Sequence, residues 1–452
     1  MSFSQKYIKT ARWLLPMPFT IAIILTFISF IFSALNYEDK SDSFFIEIYS
    51  LMGFWEKGLW NTKLLSFALQ MMLMLVLGHV LASTKAVNKI INYVVKKSTS
   101  NAKAVIIVST LTIIVSWLNW GLGLIFGAIL ARKVGEYAKK STININYPLI
   151  GACAYMGLMV WHGGLSGSAP LKVAEKGHFF EDSMGVVFLS ETIFSAMNLY
   201  CSLCLLIILP LSAYLLSKNN GNIEIPDFDN KHLQENQSDN IIGAEMLDNS
   251  NYFGKLAGLI ILRYISVKLI NSSDFLSLRF LNPDFINLSL FSIGLILHDS
   301  LKKYMDSVQE AIIGAAGILI QFPLYFGIMG LMSSSGLIEQ ISSWFIEISN
   351  QKTYTIYTFI SAGIVNVFVP SGGGQWAIQG PVIIEAAKSL NVSLSKSIMA
   401  MAYGDQLTNM LQPFWALPLL GITKLKAKDI LPYTLFFMLV GALIFISFLL
   451  IF

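Results

Sequence analysis

Four short segments of this 452-residue sequence combine glycine and proline with polar side chains, and they are the segments best suited to bind a ligand. They read WLNWGLG at residues 117–123, WHGGLSGSAP at 161–170, VPSGGGQW at 369–376 and GDQLTNMLQP at 404–413. Glycine lets a ligand approach the main chain closely, and the N–H groups at a helix N-terminus carry a partial positive charge that suits a carboxylate. Hydroxyl, amide and carbonyl oxygens suit sodium, which is a hard cation. The segments therefore predict a binding site for a small anion together with a cation.

The candidate substrate-binding residues come from three of these segments. No Lys or Arg lies within any of the four segments, so hydroxyl groups, amides and backbone N–H groups must hold an anion. The predicted substrate-binding residues are Trp120, His162, Gly164, Ser166, Ser168, Ser371, Gly372, Gly373, Gln375 and Trp376. Among the tryptophans that accompany the segments, only Trp120 and Trp376 are expected to line the pocket.

A second set of residues is predicted to bind or carry the coupling cation. It comprises Asn119, Ser166, Ser371, Asp405, Thr408 and Asn409. Neutral oxygens grouped at two chain breaks fit Na⁺, whereas Asp405 and His162 fit a proton. The residue types favour sodium slightly, with Asp405 tuning the second group of oxygens. The sequence predicts no other cofactor and no structural metal.

The elements that must position these residues are long apolar runs. Hydrophobic residues make up 55% of the sequence and charged residues only 13%, whereas a soluble protein has about 25% charged residues. The runs 17–35, 64–82, 186–216 and 430–452 reach the roughly 20 residues that cross a bilayer. These features predict an all-α polytopic membrane protein in the lipid bilayer. Its basic residues are scattered over short loops, so nucleic acid is not an expected partner.

Loop charges predict which side of the membrane each segment faces. Basic loops stay in the cytoplasm, so the basic N-terminal residues are expected inside and the acidic loop 38–57 outside. Residues 104–131 are apolar but have basic residues on both flanks, which predicts a re-entrant hairpin that turns near Asn119. The glycines and prolines of residues 354–388 predict a second hairpin, entering from outside. Over its whole length, the chain is expected to make nine full crossings in addition to the two hairpins and to end outside.

The order of these elements predicts an inverted repeat of two five-element halves, each with a re-entrant hairpin and a broken helix. The predicted units are the first repeat 1–217 with a broken helix at about 147–170, a cytoplasmic polar linker 218–252, a connecting helix 253–271, and the second repeat 284–452 with a broken helix at about 398–420. Inverted repeats with interrupted helices are the architecture of secondary transporters. A plain bundle whose glycines permit close helix packing is the alternative, but it does not predict matched interruptions in both halves.

The glycine-rich segments resemble those of the bacterial short-chain fatty acid transporter family. The resemblance rests on Trp-Gly-Leu-Gly after Asn119, on residues 164–168, on residues 369–376 continuing through Gln-Gly-Pro at 379–381, and on residues 412–418, and it extends over nearly the whole chain. It implies uptake of short monocarboxylates such as acetoacetate and butyrate across the bacterial inner membrane, on a fold of the ion transporter superfamily. His162 stands where the family favours a small residue, and Asp405 is shorter than the Glu that the family leads us to expect. Both differences bear on substrate size or coupling.

Three other functions compete with a symporter for short-chain carboxylates. The same fold could carry another small organic anion. An intramembrane enzyme is less favoured, because the sequence lacks G-x-S-x-G, H-E-x-x-H and a facing pair of aspartates. A channel needs a continuous pore, whereas two hairpins that close on one site suit alternating access. We therefore expect a secondary active transporter and not an enzyme, and a homodimer is left open.

The first hairpin makes the predicted topology testable. Single cysteines introduced near Arg132 should react with a membrane-impermeant maleimide only from the cytoplasmic side, because the basic flanks of residues 104–131 hold both of its ends there. Labelling of intact and of inside-out membrane vesicles measures this accessibility. Residues near Arg132 that react only from outside would overturn the hairpin and every crossing assigned after it.

Overall fold

The computed structural model describes residues 16–37, 44–218, 225–228, 242–270, 278 and 280–452, and every regular element in these ranges is a helix. The all-α class is therefore confirmed. The α-helices are α1 (Pro18–Asn36), α2 (Phe44–Leu59), α3 (Thr62–Ala82), α4 (Lys85–Val95), α5 (Asn101–Leu118), α6 (Trp120–Lys140), α7 (Tyr147–Tyr155), α8 (Ser168–Val173), α9 (Glu181–Met184), α10 (Ala196–Ser217), α11 (Glu245–Asp248), α12 (Phe253–Ile270), α13 (Pro283–Leu297), α14 (Leu301–Ser334), α15 (Leu337–Ile348), α16 (Tyr354–Phe368), α17 (Gly372–Ser389), α18 (Leu394–Thr408), α19 (Pro413–Thr423) and α20 (Ala427–Ile451). Two 3₁₀ helices, Met156–Met159 and Asn409–Leu411, follow α7 and α18 in the same ranges. Two predictions, the cytoplasmic position of the N-terminal residues 1–15 and most of the linker 218–252, lie outside the described residues.

Six helices of the described ranges are long and apolar enough to cross a membrane, namely α1, α3, α5, α10, α14 and α20. The apolar helices α13 and α16, and α7 with its 3₁₀ extension, are shorter. Helix α14 has 34 residues and is therefore about 50 Å long, which exceeds the roughly 30 Å of a hydrocarbon core. The protein is thus a multi-pass membrane protein.

Two parts of the chain differ from the expected elements. The expected acidic loop contains helix α2, which packs against α14 where two glycines meet. A Cβ on Gly58 would lie 2.9 Å from the Cα of Gly330, so only glycine permits this approach. The apolar run 186–216 becomes helical only at Ala196, because the side chain of Ser195 caps the helix by accepting a hydrogen bond from the N–H of Asn198 at 3.3 Å.

A polar capping residue separates the two helices of each predicted hairpin. Asn119 lies between α5 and α6 in an extended conformation and accepts a hydrogen bond from the N–H of Leu122 at 2.8 Å. Residues 369–371 lie between α16 and α17, and Ser371 accepts a hydrogen bond from the N–H of Gly374 at 3.2 Å. The two helices of each pair pack against each other. The helix–break–helix units are thus present, while their re-entry and the inversion of the two halves stay predictions.

Each of these units is followed by a broken helix. Helix α7 passes into its 3₁₀ extension and then into turns at residues 160–167 before α8 begins. Helix α18 passes into the second 3₁₀ helix before α19 begins. Helix α8 packs against α17 and α18, α19 packs against α6, and the two 3₁₀ helices touch each other. The broken helix of each half therefore packs against the other half, and the four glycine-rich segments come together.

Close packing of α18 on α16 depends on a glycine and is testable. A Cβ on Gly404 would lie 2.1 Å from the carbonyl oxygen of Phe359 and 2.9 Å from the N–H nitrogen of Gly363. Because these are backbone atoms that cannot move aside, Gly404→Ala should destabilise the protein by about 1–3 kcal/mol. Thermal unfolding of the detergent-solubilised protein measures this as a lower Tm. The control is Gly421→Ala, where nothing lies within 4 Å of the added atom, and equal Tm values for the two variants would contradict the packing.

Candidate functional site

A narrow cavity of about 30 Å³ lies where the two broken helices meet. It is lined by Met71, Trp120, Leu158, Trp161, Ser168, Ile318, Phe322, Ser371, Gly372, Gly373, Asn409 and Trp415. The ring of Trp120 lies 5.8 Å from that of Trp161 and 5.2 Å from that of Trp415, measured between centroids. Most of the wall is therefore apolar and aromatic, with a few polar groups from Ser168, Ser371 and Asn409.

The N-terminus of helix α17 provides the polar end of this cavity. Ser371 is its N-cap, and Gly372 and Gly373 are its first residues; all three line the cavity. The first N–H groups of a helix lack intrahelical partners. The hydroxyl oxygen of Ser371 accepts a hydrogen bond from the N–H of Gly374. The N–H groups of Gly372 and Gly373 are therefore left for a ligand. Because an 18-residue helix carries partial positive charge at this end, the site suits a carboxylate.

Tight packing explains the two glycines at this end of α17. A Cβ on Gly372 would lie 2.7 Å from Cε1 of His162 and 2.8 Å from Cη2 of Trp161. A Cβ on Gly373 would lie 2.9 Å from the ring of Phe67. Any larger residue at either position would therefore collide with an aromatic or imidazole ring and narrow the cavity.

His162 and Asp405 form a buried pair directly behind the cavity. Nδ1 of His162 lies 2.7 Å from Oδ2 of Asp405, and both side chains are fully enclosed. The N–H of Ala169 donates to Nε2 of the same ring at 3.2 Å, so Nε2 carries no proton and Nδ1 is the ring donor. The ring also stacks on Trp161, with centroids 4.5 Å apart. The imidazole therefore donates from Nδ1 to the carboxyl group of Asp405 directly behind Gly372.

Side chains of one half bind the backbone that the break exposes in the other half. Oε1 of Gln406 accepts hydrogen bonds from the N–H groups of His162 at 3.0 Å and Gly163 at 3.3 Å. The hydroxyl of Tyr155 donates to the carbonyl of Asn409 at 3.0 Å. The two breaks therefore support each other.

Asn366 of α16 forms hydrogen bonds with the interrupted part of the second broken helix, where α18 passes into its 3₁₀ helix. Its Nδ2 donates to the carbonyl of Asp405 at 2.6 Å and lies 2.9 Å from Oγ1 of Thr408 and 3.1 Å from Oδ1 of Asn409. The amide of Asn366 thus lies among oxygens that the sequence predicts to bind sodium, and its Oδ1 has no hydrogen-bond partner among the described residues. A cation role for Thr408 and Asn409 stays a prediction.

The other oxygens in the predicted ion set act as hydrogen-bond acceptors at helix N-termini. Asn119 caps α6, Ser371 caps α17, and Oγ of Ser166 accepts from the N–H of Trp120 at 2.9 Å. The positive end of a helix favours an anion over a cation. A sodium role for Asn119, Ser166 and Ser371 stays a prediction.

The cavity brings together part of the predicted site. Lining it are Trp120, Ser168, Ser371, Gly372, Gly373 and Asn409, whereas Asn119, His162, Gly164, Ser166, Gln375, Trp376, Asp405 and Thr408 lie outside its wall. Gly164 is pressed against the carbonyl of Trp117, which a Cβ would approach to 2.3 Å. Gln375 donates from Nε2 to the carbonyl of Ala362 at 2.9 Å. The functional roles of all these residues stay predictions.

The tryptophans require a correction. Trp376 is fully buried, and its ring packs edge-on against Phe180 with centroids 5.7 Å apart, so it does not line the cavity as expected. The cavity lies beyond the end of α17, and only the first residues of that helix reach it. Trp161 and Trp415, which were not expected in the wall, do line it. Their position in the sequence could have indicated this, because both tryptophans lie in or next to the segments 161–170 and 404–413, where the helices are interrupted.

Comparisons with known proteins agree with this architecture. A family model described as "Short chain fatty acid transporter" matches residues 2–452. Two relatives are provisionally named short-chain fatty acid transporters. The protein of Escherichia coli strain K12 is 34% identical over 440 residues, which span 96% of this chain and 96% of the relative. The protein of Haemophilus influenzae is 35% identical over 448 residues, which span 96% of this chain and 95% of the relative.

Two solved structures share the fold. The YdaH transporter of Alcanivorax borkumensis superposes with a TM-score of 0.63 at 13% identity, over 96% of this chain and 98% of that one. MtrF of Neisseria gonorrhoeae, described as illuminating a class of antimetabolite efflux pumps, superposes with a TM-score of 0.60 at 14% identity, over 98% of this chain and 97% of that one. The fold is thus one that membrane transporters use.

Proposed function

The chain belongs to the short-chain fatty acid transporter family, and from this premise we propose that it is a secondary active transporter that takes up short-chain fatty acids together with a cation. The observation that carries the proposal is the cavity at the N-terminus of α17, which joins a carboxylate-binding end to an apolar wall. Another small organic anion could use the same polar end, but the apolar wall favours an alkyl chain.

The geometry supports a specific orientation of the substrate. The carboxylate accepts hydrogen bonds from the N–H groups of Gly372 and Gly373, with Ser168 and Ser371 as neighbouring hydroxyl groups. The alkyl chain lies among the tryptophans of the wall, where its burial contributes about 0.8 kcal/mol per methylene group. Because aromatic rings surround this space, long chains are excluded.

The contacts between the two breaks support alternating access. Each broken helix packs on the other half of the chain, so one half can move relative to the other only by changing the walls of the shared cavity.

The proposal includes a bacterial inner membrane location, a cytoplasmic N-terminus and an outside C-terminus. It leaves a homodimer as an assembly to be tested.

A carboxylate that crosses alone moves against the inside-negative membrane potential, at a cost of about 2.3 kcal/mol per charge per 100 mV. At least one cation must therefore accompany each substrate anion. Since the predicted sodium ligands bind N–H groups, the pair of His162 and Asp405 is the better candidate. Its negative charge repels a bound carboxylate, and one added proton removes that repulsion. A bound proton then raises the affinity for the anion, and a bound anion raises the affinity for the proton.

The substrate site can be tested with a glycine substitution. Gly373→Val should abolish counterflow of labelled butyrate in proteoliposomes while leaving the protein in the membrane, because its side chain would collide with Phe67 and fill the cavity. Gly421→Val is the matched control, since it adds the same side chain where nothing lies within 4 Å. Normal affinity in the Gly373 variant would exclude this cavity as the substrate site. Flux that never saturates in the unaltered protein would indicate a channel.

The coupling cation can be tested with an isosteric substitution. Asp405→Asn should reduce butyrate accumulation driven by an acid exterior to the level of protein-free liposomes, because the pair then lacks its carboxyl group. Thr408→Ala should retain that accumulation if a proton, and not sodium at the Thr408 hydroxyl, is the coupling cation. Uptake by separately imposed proton and sodium gradients measures both effects. Accumulation that follows only the sodium gradient, and needs more sodium in the Thr408 variant, would replace the proton with sodium.

A further inference from the structure

A buried cation lies just outside the cavity wall. Lys172 is 5% exposed and is the one Lys or Arg that is buried among the described residues. Lysine is almost never buried without a partner, because removing its charge from water is costly. It stands four residues after the cavity-lining Ser168 on α8, and residues four apart share one face of a helix. Lys172 is therefore next to the proposed substrate path.

A single aromatic ring separates this lysine from the cavity. Nζ of Lys172 lies 5.6 Å from the centroid of the Phe67 ring. The same ring lies 6.4 Å from that of the cavity-lining Phe322, and a Cβ on the cavity-lining Gly373 would lie 2.9 Å from it. Phe67 therefore contacts both Lys172 and the N-terminus of α17.

The partner of Lys172 is itself a carboxylate. Oε2 of Glu175 lies 2.5 Å from Nζ, and Oε1 of Gln70 accepts from Nζ at 3.3 Å. Gln70 in turn donates to Oδ1 of Asp284 at 2.9 Å. The side chain of Glu175 is 20% exposed against 6% for that of Lys172, so the acid is the more solvent-accessible member of the pair. A buried cation needs a partner anion, so another anion would have to take the place of Glu175 if it were displaced.

We propose that Lys172 forms a transient binding site for the carboxylate of the substrate, which replaces Glu175 at Nζ before it passes Phe67 into the cavity. This inference rests on the proposed function for the identity of the substrate. The exchange is chemically balanced, because one carboxylate takes the place of another and no proton is transferred. It also provides the cationic side chain that the four glycine-rich segments lack.

The two members of the pair should affect affinity in opposite directions. Glu175→Gln removes the competing carboxylate, so the apparent KM for butyrate in counterflow should fall several-fold. Lys172→Met keeps the length of the side chain but not its charge, so the KM should rise about tenfold, as expected for loss of one charge-assisted hydrogen bond. A merely structural ion pair would shift both variants in the same direction, because either change leaves the other group buried and unpaired.

A similar ion pair outside the cavity provides the control. Lys133 and Glu136 are also three residues apart, here within α6, with Nζ 3.0 Å from Oε2, and Glu136→Gln should leave the KM unchanged. If Lys172→Met fails to fold, Glu175→Gln decides alone, and an unchanged or raised KM in that variant overturns the inference. Unaltered protein without saturable butyrate counterflow would overturn the proposed function as well. Saturable counterflow with both KM values shifted alike would overturn only the role of Lys172.

Discussion

Backbone N–H and C=O groups released by a helix break must find partners inside the protein, because lipid offers none. The organisation of this protein follows from that constraint. Gln406 binds the N–H groups of His162 and Gly163, and Tyr155 binds the carbonyl of Asn409, so each break is completed by a side chain from the other half. The breaks are thus stable only when they are together. The cavity lies between the two interrupted helices where they pack against each other.

The same constraint explains why an anion site forms without a cationic side chain in its wall. A helix that begins inside the protein presents its unpaired N–H groups there. Ser371 satisfies one of them, and glycines at the next positions let a ligand reach the rest. The pair of His162 and Asp405, to which the proposal assigns a negative charge, lies close behind Gly372. Attraction by the helix end and repulsion by the pair therefore act on one carboxylate, which is the physical basis proposed here for coupling.

Much of this organisation could be predicted from the sequence, because it depends on local features. Asn119 and Ser371 are capping residues beside glycines in otherwise apolar stretches, and the helices break there. The wall of the cavity could not be predicted in the same way. Trp161 lines the cavity and Trp376 does not, because α17 begins at the cavity and packs there against the segment 161–170. These two parts of the chain lie about 200 residues apart in the sequence. The pairing of His162 with Asp405 is equally non-local, since no pattern of spacing links residues 243 positions apart.

Helix α2 and Lys172 show two further limits of local patterns. Acidic residues at its ends make the segment around α2 resemble a loop, but contact between Gly58 and Gly330 stabilises it as a helix. Lys172 lies two residues beyond a glycine-rich segment, and only the fold places it beside Phe67 and the cavity.

The central claim is that a short-chain carboxylate binds with its charged end at the N-terminus of α17. A cryo-EM structure of the protein in lipid nanodiscs with saturating butyrate tests it most directly. We expect ligand density in the cavity, with the carboxylate within hydrogen-bond distance of the N–H groups of Gly372 and Gly373 and the alkyl chain against Trp120. Butyrate bound outside this cavity, or with its carboxylate turned away from α17, would contradict it.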